Sequence, residues 1–313
     1  MERIRCCVCH EGFDPDEVEW LGGRSFCKEH HRRAIEATET HWSRAGLLEA
    51  ALVALFVLVV ALVFGGSTLP TSVDVGLGLA LVPAVIWLVF IYRQDRVEPE
   101  PFGLVAGVYL LGALFGHALV DPLAEKLVAA SGGLEETSAL GAWVHSVAIE
   151  GTLAVLAAYV VVRYTVYLTD EFDEPVDGVI YATAASLGVA TAQNVAFVAH
   201  HAGVLPVAGA TQMASTTLIH VASGVLLGYG LGRRRFDASE GGRWLAASFL
   251  AAVVAHGAFH ELVVMAGAAR GGFDPWMGFG VALGLGVLVL AGAHVITVRF
   301  ARQALEEGGF DFE

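Results

Sequence analysis

Apolar residues fall in eight blocks of about twenty, at 46–65, 72–92, 102–121, 140–163, 177–199, 212–232, 243–267 and 277–299, with polar stretches between them. A helix rises about 1.5 Å per residue, so each block is long enough to cross about 30 Å of hydrocarbon. The pattern predicts an all-α fold, a polytopic membrane bundle of about eight transmembrane helices. The forty residues ahead of the first block are polar and lack the apolar core of a secretory signal, so the first span is expected to act as its own insertion signal. The expected divisions are residues 1–40, a membrane domain over 41–303 and an acidic tail over 304–313.

Arginines orient the bundle. Arg32, Arg33 and Arg44 precede the first span, Arg93 and Arg96 follow the second, and Arg163 follows the fourth. Arg233 to Arg235 and Arg243 follow the sixth, and Arg299 and Arg302 the eighth, whereas the odd-numbered connections hold only Lys126 and Arg270. Positively charged loops stay inside, so both termini are expected in the cytoplasm of a cell-membrane protein.

Composition changes this picture little. The chain is 56% hydrophobic and 16% charged, and its net charge of −14 sits largely in loops and in Glu306 to Glu313, where it reads as solvated surface. Nucleic acid is disfavoured as a partner. Lys28 and Lys126 are the only lysines against sixteen arginines, which together with abundant acidic and small residues suggests an archaeal-like, salt-loving source. The spans show no internal repeat, which counts against a transporter built from two matching halves.

The polar N-terminal segment contains all four cysteines. Cys6-x2-Cys9 and Cys27-x2-His30 flank a spacer of seventeen residues that includes Gly22-Gly23. Two ligands three apart on a tight turn can face one tetrahedral ion, and a segment this short lacks the core to fold without one. The spacing predicts a structural zinc held by Cys6, Cys9, Cys27 and His30, with Cys7, His10 and His31 as alternative ligands. Four protein ligands leave no open coordination position, so the module is expected to stabilise or to bind a protein partner rather than to catalyse.

Within the membrane, polar residues near mid-depth are costly and mark function or pairing. Glu150 stands alone in the fourth span, Gln193 and Asn194 in the fifth, His220 in the sixth, and His256 with His260 in the seventh. His256 and His260 are four apart and share a helix face. A carboxylate beside imidazoles can take a proton from water while the imidazoles or an amide stabilise an oxyanion, which is what amide hydrolysis requires. A divalent metal held by His220, His256 and His260 would supply part of the same polarisation. By contrast Asp173, Glu174 and Asp177 precede the fifth span and read as residues favouring a helix N-terminus.

These residues resemble the PrsW family of intramembrane proteases, within the wider group of CAAX-processing and bacteriocin-processing membrane proteases, over about residues 90–265. The resemblance is carried by Asp95-Arg96-Val97-Glu98-Pro99-Glu100-Pro101, by Phe172-Asp173-Glu174-Pro175-Val176-Asp177-Gly178 with Tyr181, and by Asn194. His220 with Gly224 and Gly228-Tyr229-Gly230, and His256-Gly257, complete it. The resemblance implies a multi-pass protease that clips a membrane-anchored substrate, such as an anti-sigma factor. The family's Glu-Glu-x-x-Lys motif reads Ile149-Glu150-Gly151-Thr152-Leu153-Ala154 here, with one glutamate and the lysine missing and Glu150 matching either the first or the second glutamate; its usual glutamate before Asn194 is Gln193, and its usual final asparagine or aspartate is His260. The expected site is therefore Glu150 as base, His220, His256 and His260 on the carbonyl, the water or a metal, and Gln193 and Asn194 positioning them. The alternative is a catalytically inactive member that acts as a scaffold or sensor through its zinc module.

Overall fold

The computed structural model describes residues 3–21, 24–64, 67, 69–93, 100–131, 138–237, 240–268 and 274–307. Gly22, Gly23, the motif residues Asp95 to Pro99 and the tail residues 308–313 lie outside them. The chain divides into two compact units, residues 1–47 with 290–313, and residues 48–289.

In the first unit, β1 (Ile4–Arg5) pairs antiparallel with β2 (Gly12–Phe13), and β3 (Val18–Leu21) with β4 (Arg24–Cys27). The chain reverses between β1 and β2 through a turn in which His10 N–H donates to Cys6 O at 2.9 Å and His10 takes φ 60°. Cys7 N–H donates to Ser25 O at 2.8 Å, tying this turn to β4. Cys6, Val18, Phe26 and Cys27 are the buried apolar residues described in the two hairpins, too few to hold a fold by burial alone. Helix α1 (Lys28–Phe64) starts directly after Cys27.

The second unit is helical. Its elements include α2 (Val73–Tyr92), α3 (Phe102–Ala130), α4 (Ala139–Thr165), α5 (Pro175–His200), α6 (Pro206–Phe236) and α7 (Gly241–Ala268), each long and apolar enough to cross a membrane. Ala51–Phe64 within α1 and Pro275–Val289 within α8 (Pro275–Glu307) are shorter apolar stretches at the places of the first and eighth expected spans. The expected boundaries from 72 to 267 agree with α2–α7 except at two ends. Helix α3 runs on to Ala130 instead of stopping near 121, because the helix continues through Asp121, Glu125 and Lys126, which hydropathy reads as loop. Helix α6 begins at Pro206, six residues early, since its first turns are small and polar but still helical.

Helices α5 and α6 form the core: 72% and 83% of their apolar stretches are buried, against 28% for α3. Lipid offers no hydrophobic drive for helices to associate, so close packing of small residues must hold them. A Cβ on Gly188 would lie 2.1 Å from Tyr109 O, and one on Gly112 would lie 2.1 Å from Ala185 O, so α3 and α5 touch backbone to backbone. Gly178 and Gly228 bring α5 and α6 together in the same way.

At the start of α5, Asp177 Oδ2 accepts from Glu174 N–H at 2.6 Å, the Glu174 side chain accepts from Asp177 N–H, and Pro175 takes the first turn. For Glu174 and Asp177 this is the helix-start role expected. Asp177 is also 99% buried, near Glu100, which accepts a hydrogen bond from Tyr181. Phe172 stacks between Tyr181 and Phe236 over them. The motif residues of this end thus form an interhelical clasp.

Candidate functional site

Helix α4 contains a π-helical turn at Ser146–Gly151, and Glu150 lies in it. Such turns widen a helix locally and recur at functional sites. Two glycines seat the turn on α7: a Cβ on Gly151 would lie 2.6 Å from Val253 O, and one on Gly257 would lie 2.5 Å from Val147 Cα. Because the two backbones meet there, Glu150 reaches the histidines of α7. His260 Nδ1 stands 3.5 Å from Glu150 Oε2.

Glu150, Gln193, Asn194, His220, His256 and His260 all line one cavity of about 450 Å³ in the second unit. The His220 and His256 rings meet edge to face at 4.7 Å between centroids. His220 Nε2 lies 2.8 Å from Gln193 Oε1, so this glutamine holds the imidazole. Asn194 is 98% buried, and its Nδ2 donates to Met213 O at 3.3 Å and Thr217 Oγ1 at 3.4 Å, pinning α5 to α6 beneath the cavity. Ser223 Oγ donates to Ile219 O and His220 O, which leaves its lone pairs for His256 Nδ1 at 3.4 Å.

Glu150 is not sealed among apolar side chains. Its side chain and that of His260 are 32% and 34% accessible, so the carboxylate opens onto the cavity. The cavity also takes residues that sequence reasoning missed: His117, Asp121 and Glu125 of α3 and His200 of α5. His117 lies in a second π-helical turn, Gly116–Val120, immediately before Asp121. Glu261, also missed, accepts from Ser146 Oγ at 2.6 Å behind His260. The available signal was a carboxylate directly following the motif histidine in an apolar helix.

Two of the imidazoles each keep a ring nitrogen for a further partner. His220 Nε2 is taken up by Gln193, while its Nδ1 is buried with no hydrogen-bond partner, an orphan that a cation would satisfy. His256 likewise has one ring nitrogen held by Ser223 and the other uncommitted by any described contact. Imidazoles with one nitrogen fixed by the protein and the other carrying a lone pair are the usual arrangement of metal ligands.

In the first unit the ligand atoms of Cys6, Cys9, Cys27 and His30 all lie within 4.8 Å of one another. These are the four expected; Cys7, His10 and His31 are not in the group. His30 presents Nδ1, 3.1 Å from Cys27 Sγ and 3.7 Å from Cys6 Sγ. Burial pushes the Cys6 thiol up, but backbone hydrogen bonds at Cys9, Cys27 and Val8 outweigh it and hold it at about 6. The group can hold a metal ion, since thiolates are the binding form.

A family model described as PrsW family intramembrane metalloprotease matches residues 100–293. The Protease PrsW of Geobacillus kaustophilus is 30% identical over 185 residues, covering 59% of this chain and 77% of that protein. The Protease PrsW of Bacillus subtilis is 26% identical over 189 residues, covering 57% and 78%. That of Oceanobacillus iheyensis is 27% identical over 194 residues, covering 60% and 82%. No solved structure matches the chain.

Proposed function

Because the chain belongs to the PrsW family of intramembrane metalloproteases, a multi-pass membrane family, we propose that it hydrolyses peptide bonds of a membrane-anchored protein substrate, an anti-sigma-factor-like regulator, in the cavity between α3 and α7. The observation that carries this reading is the convergence of Glu150 and three histidines from three membrane-crossing helices on one cavity. In the mechanism Glu150 takes a proton from a cavity water as that water attacks the scissile carbonyl, then returns it to the leaving amine. Gln193 fixes His220, Asn194 keeps α5 and α6 in register, and His256 and His260 each keep one ring nitrogen for the attacking water or a metal. His220, His256 and His260 would hold the family's metal, which when bound polarises the carbonyl and eases deprotonation of water.

The test is to compare the membrane proteomes of cells carrying the wild type or His256→Ala. Loss of one transition-state stabiliser costs about 10²-fold, so at least one membrane-anchored protein should accumulate uncleaved in the variant. Identical processing in both would sink the proposal. The missing second glutamate beside Glu150, and Gln193 where the family usually has a glutamate, favour a second reading, an inactive scaffold, and that reading requires identical processing.

The same proposal puts residues 1–40 in the cytoplasm as a zinc-binding module for a protein partner, with both termini on that side of the cell membrane. In intact cells an impermeant thiol reagent should spare the four native cysteines and modify a cysteine introduced at Gly133. The opposite labelling would reverse the topology.

A further inference from the structure

We propose that Glu261 is a positioning residue of the cavity: acting with Ser146, it keeps a proton on Nδ1 of His260 and so leaves the Nε2 lone pair of that ring for chemistry. The inference rests on reading the cavity as the proteolytic site. It begins with burial, since Glu261 is 93% and Ser146 99% buried, and a carboxylate enclosed in a membrane helix is retained only where it is paired.

The hydrogen-bond directions then follow one from another. Ser146 Oγ is 2.6 Å from Glu261 Oε1 and spends its one proton there. The same Oγ, 3.3 Å from His260 Nδ1, can face that nitrogen only with a lone pair. The other atoms around Nδ1 are Glu150 Oε2 at 3.5 Å and Glu261 Oε1 at 3.7 Å, both carboxylate oxygens. Three acceptors surrounding one ring nitrogen place the proton on it. A neutral imidazole protonated at Nδ1 carries its lone pair on Nε2, and the ring lines the cavity.

The two carboxylates that flank His260 therefore divide the work. Glu261 has a side chain 10% accessible and anchored by Ser146, whereas Glu150 is 32% accessible and open to the cavity. The enclosed one holds the imidazole, and the open one remains free to exchange a proton with water. A chain with a single glutamate in its Glu150 motif thus gains a second carboxylate from the neighbouring helix, next to the histidine that replaces the family's final asparagine or aspartate.

Full-length protein with ring-¹⁵N-labelled histidine, reconstituted in phosphatidylcholine nanodiscs, provides a readout independent of activity. Solid-state NMR should show His260 as the Nδ1–H tautomer in the wild type, loss of that signal toward Nε2–H in Glu261→Ala, and its retention in Glu261→Asp. Ser146→Ala breaks the bridge from the other side and decides the question if Glu261→Ala does not fold. Processing of membrane-anchored proteins in cells should fall about 10- to 100-fold in Glu261→Ala, the usual cost of losing a partner that orients a ligand or catalytic imidazole, and should recover in Glu261→Asp. An Nε2–H tautomer in the wild type, or an unchanged Nδ1–H signal in both Glu261→Ala and Ser146→Ala, overturns the proposal whatever happens to processing. The expected tautomer shift in a protein whose wild type cleaves nothing supports the positioning role while defeating the proteolytic reading.

Discussion

Replacing Glu150 with glutamine should lower cleavage by about 10²-fold or more while leaving the fold intact. The amide keeps the size and the acceptor oxygen that faces His260 at 3.5 Å, but it cannot take the proton that an attacking water must lose. Little stability is at stake, because the side chain is one-third accessible and a neutral amide costs less to hold in a membrane protein than a carboxylate. The matching control is Asp173→Asn. Asp173 is exposed just before α5, and Gln193 lies about 30 Å further along that helix at about 1.5 Å per residue, so this substitution should leave cleavage near the wild-type level. The measurement is the ratio of uncleaved to cleaved membrane-anchored substrate in cells carrying each variant. Equal ratios in wild type and Glu150→Gln would remove the base from the mechanism, and a loss of equal size in Asp173→Asn would point to folding instead of chemistry.

Much of this site was legible because polar residues stand out against an apolar span. Glu150, Gln193, Asn194, His220, His256 and His260 each interrupt a hydrophobic run, and depth alone argued that they meet. His117, Asp121, Glu125 and His200 sit where spans were expected to end, and there a polar residue reads as loop. For His117, Asp121 and Glu125 membership depends on α3 continuing past a π-helical turn, which leaves no mark in hydrophobic periodicity. Glu261 follows a motif histidine, yet its partner Ser146 is 115 positions away on another helix, so only packing pairs them. The same holds for Glu100 and Tyr181, 81 positions apart: both were quoted as motif residues, but neither pattern nor spacing says that one accepts the other's proton. Apart from the far end of α3 and the first and eighth spans, where the apolar stretches are shorter, the spans were readable within about six residues, because twenty apolar positions admit few other interpretations.

The N-terminal cluster gives the other large expected effect. Purified full-length protein should carry one zinc ion at this cluster, and Cys9→Ser or Cys27→Ser should each lower the bound zinc by one ion per chain. Structural zinc in small domains contributes about 10–16 kcal/mol of apparent binding free energy at neutral pH, and that energy is also folding energy. The hairpins around the cluster have little else to hold them: Val18 and Phe26 are the only buried apolar residues described in strands β1–β4 besides the ligand Cys27. Cys6, fully buried, and Cys27, 93% buried, should react slowly with iodoacetamide while metal is bound and rapidly once a strong chelator removes it. Burial limits alkylation while the hairpins are folded, so the rise in rate after chelation reports their unfolding. An unchanged zinc content in both serine variants, or thiols that stay protected after chelation, would mean that the hairpins stand without a metal and that the four converging ligands serve another purpose.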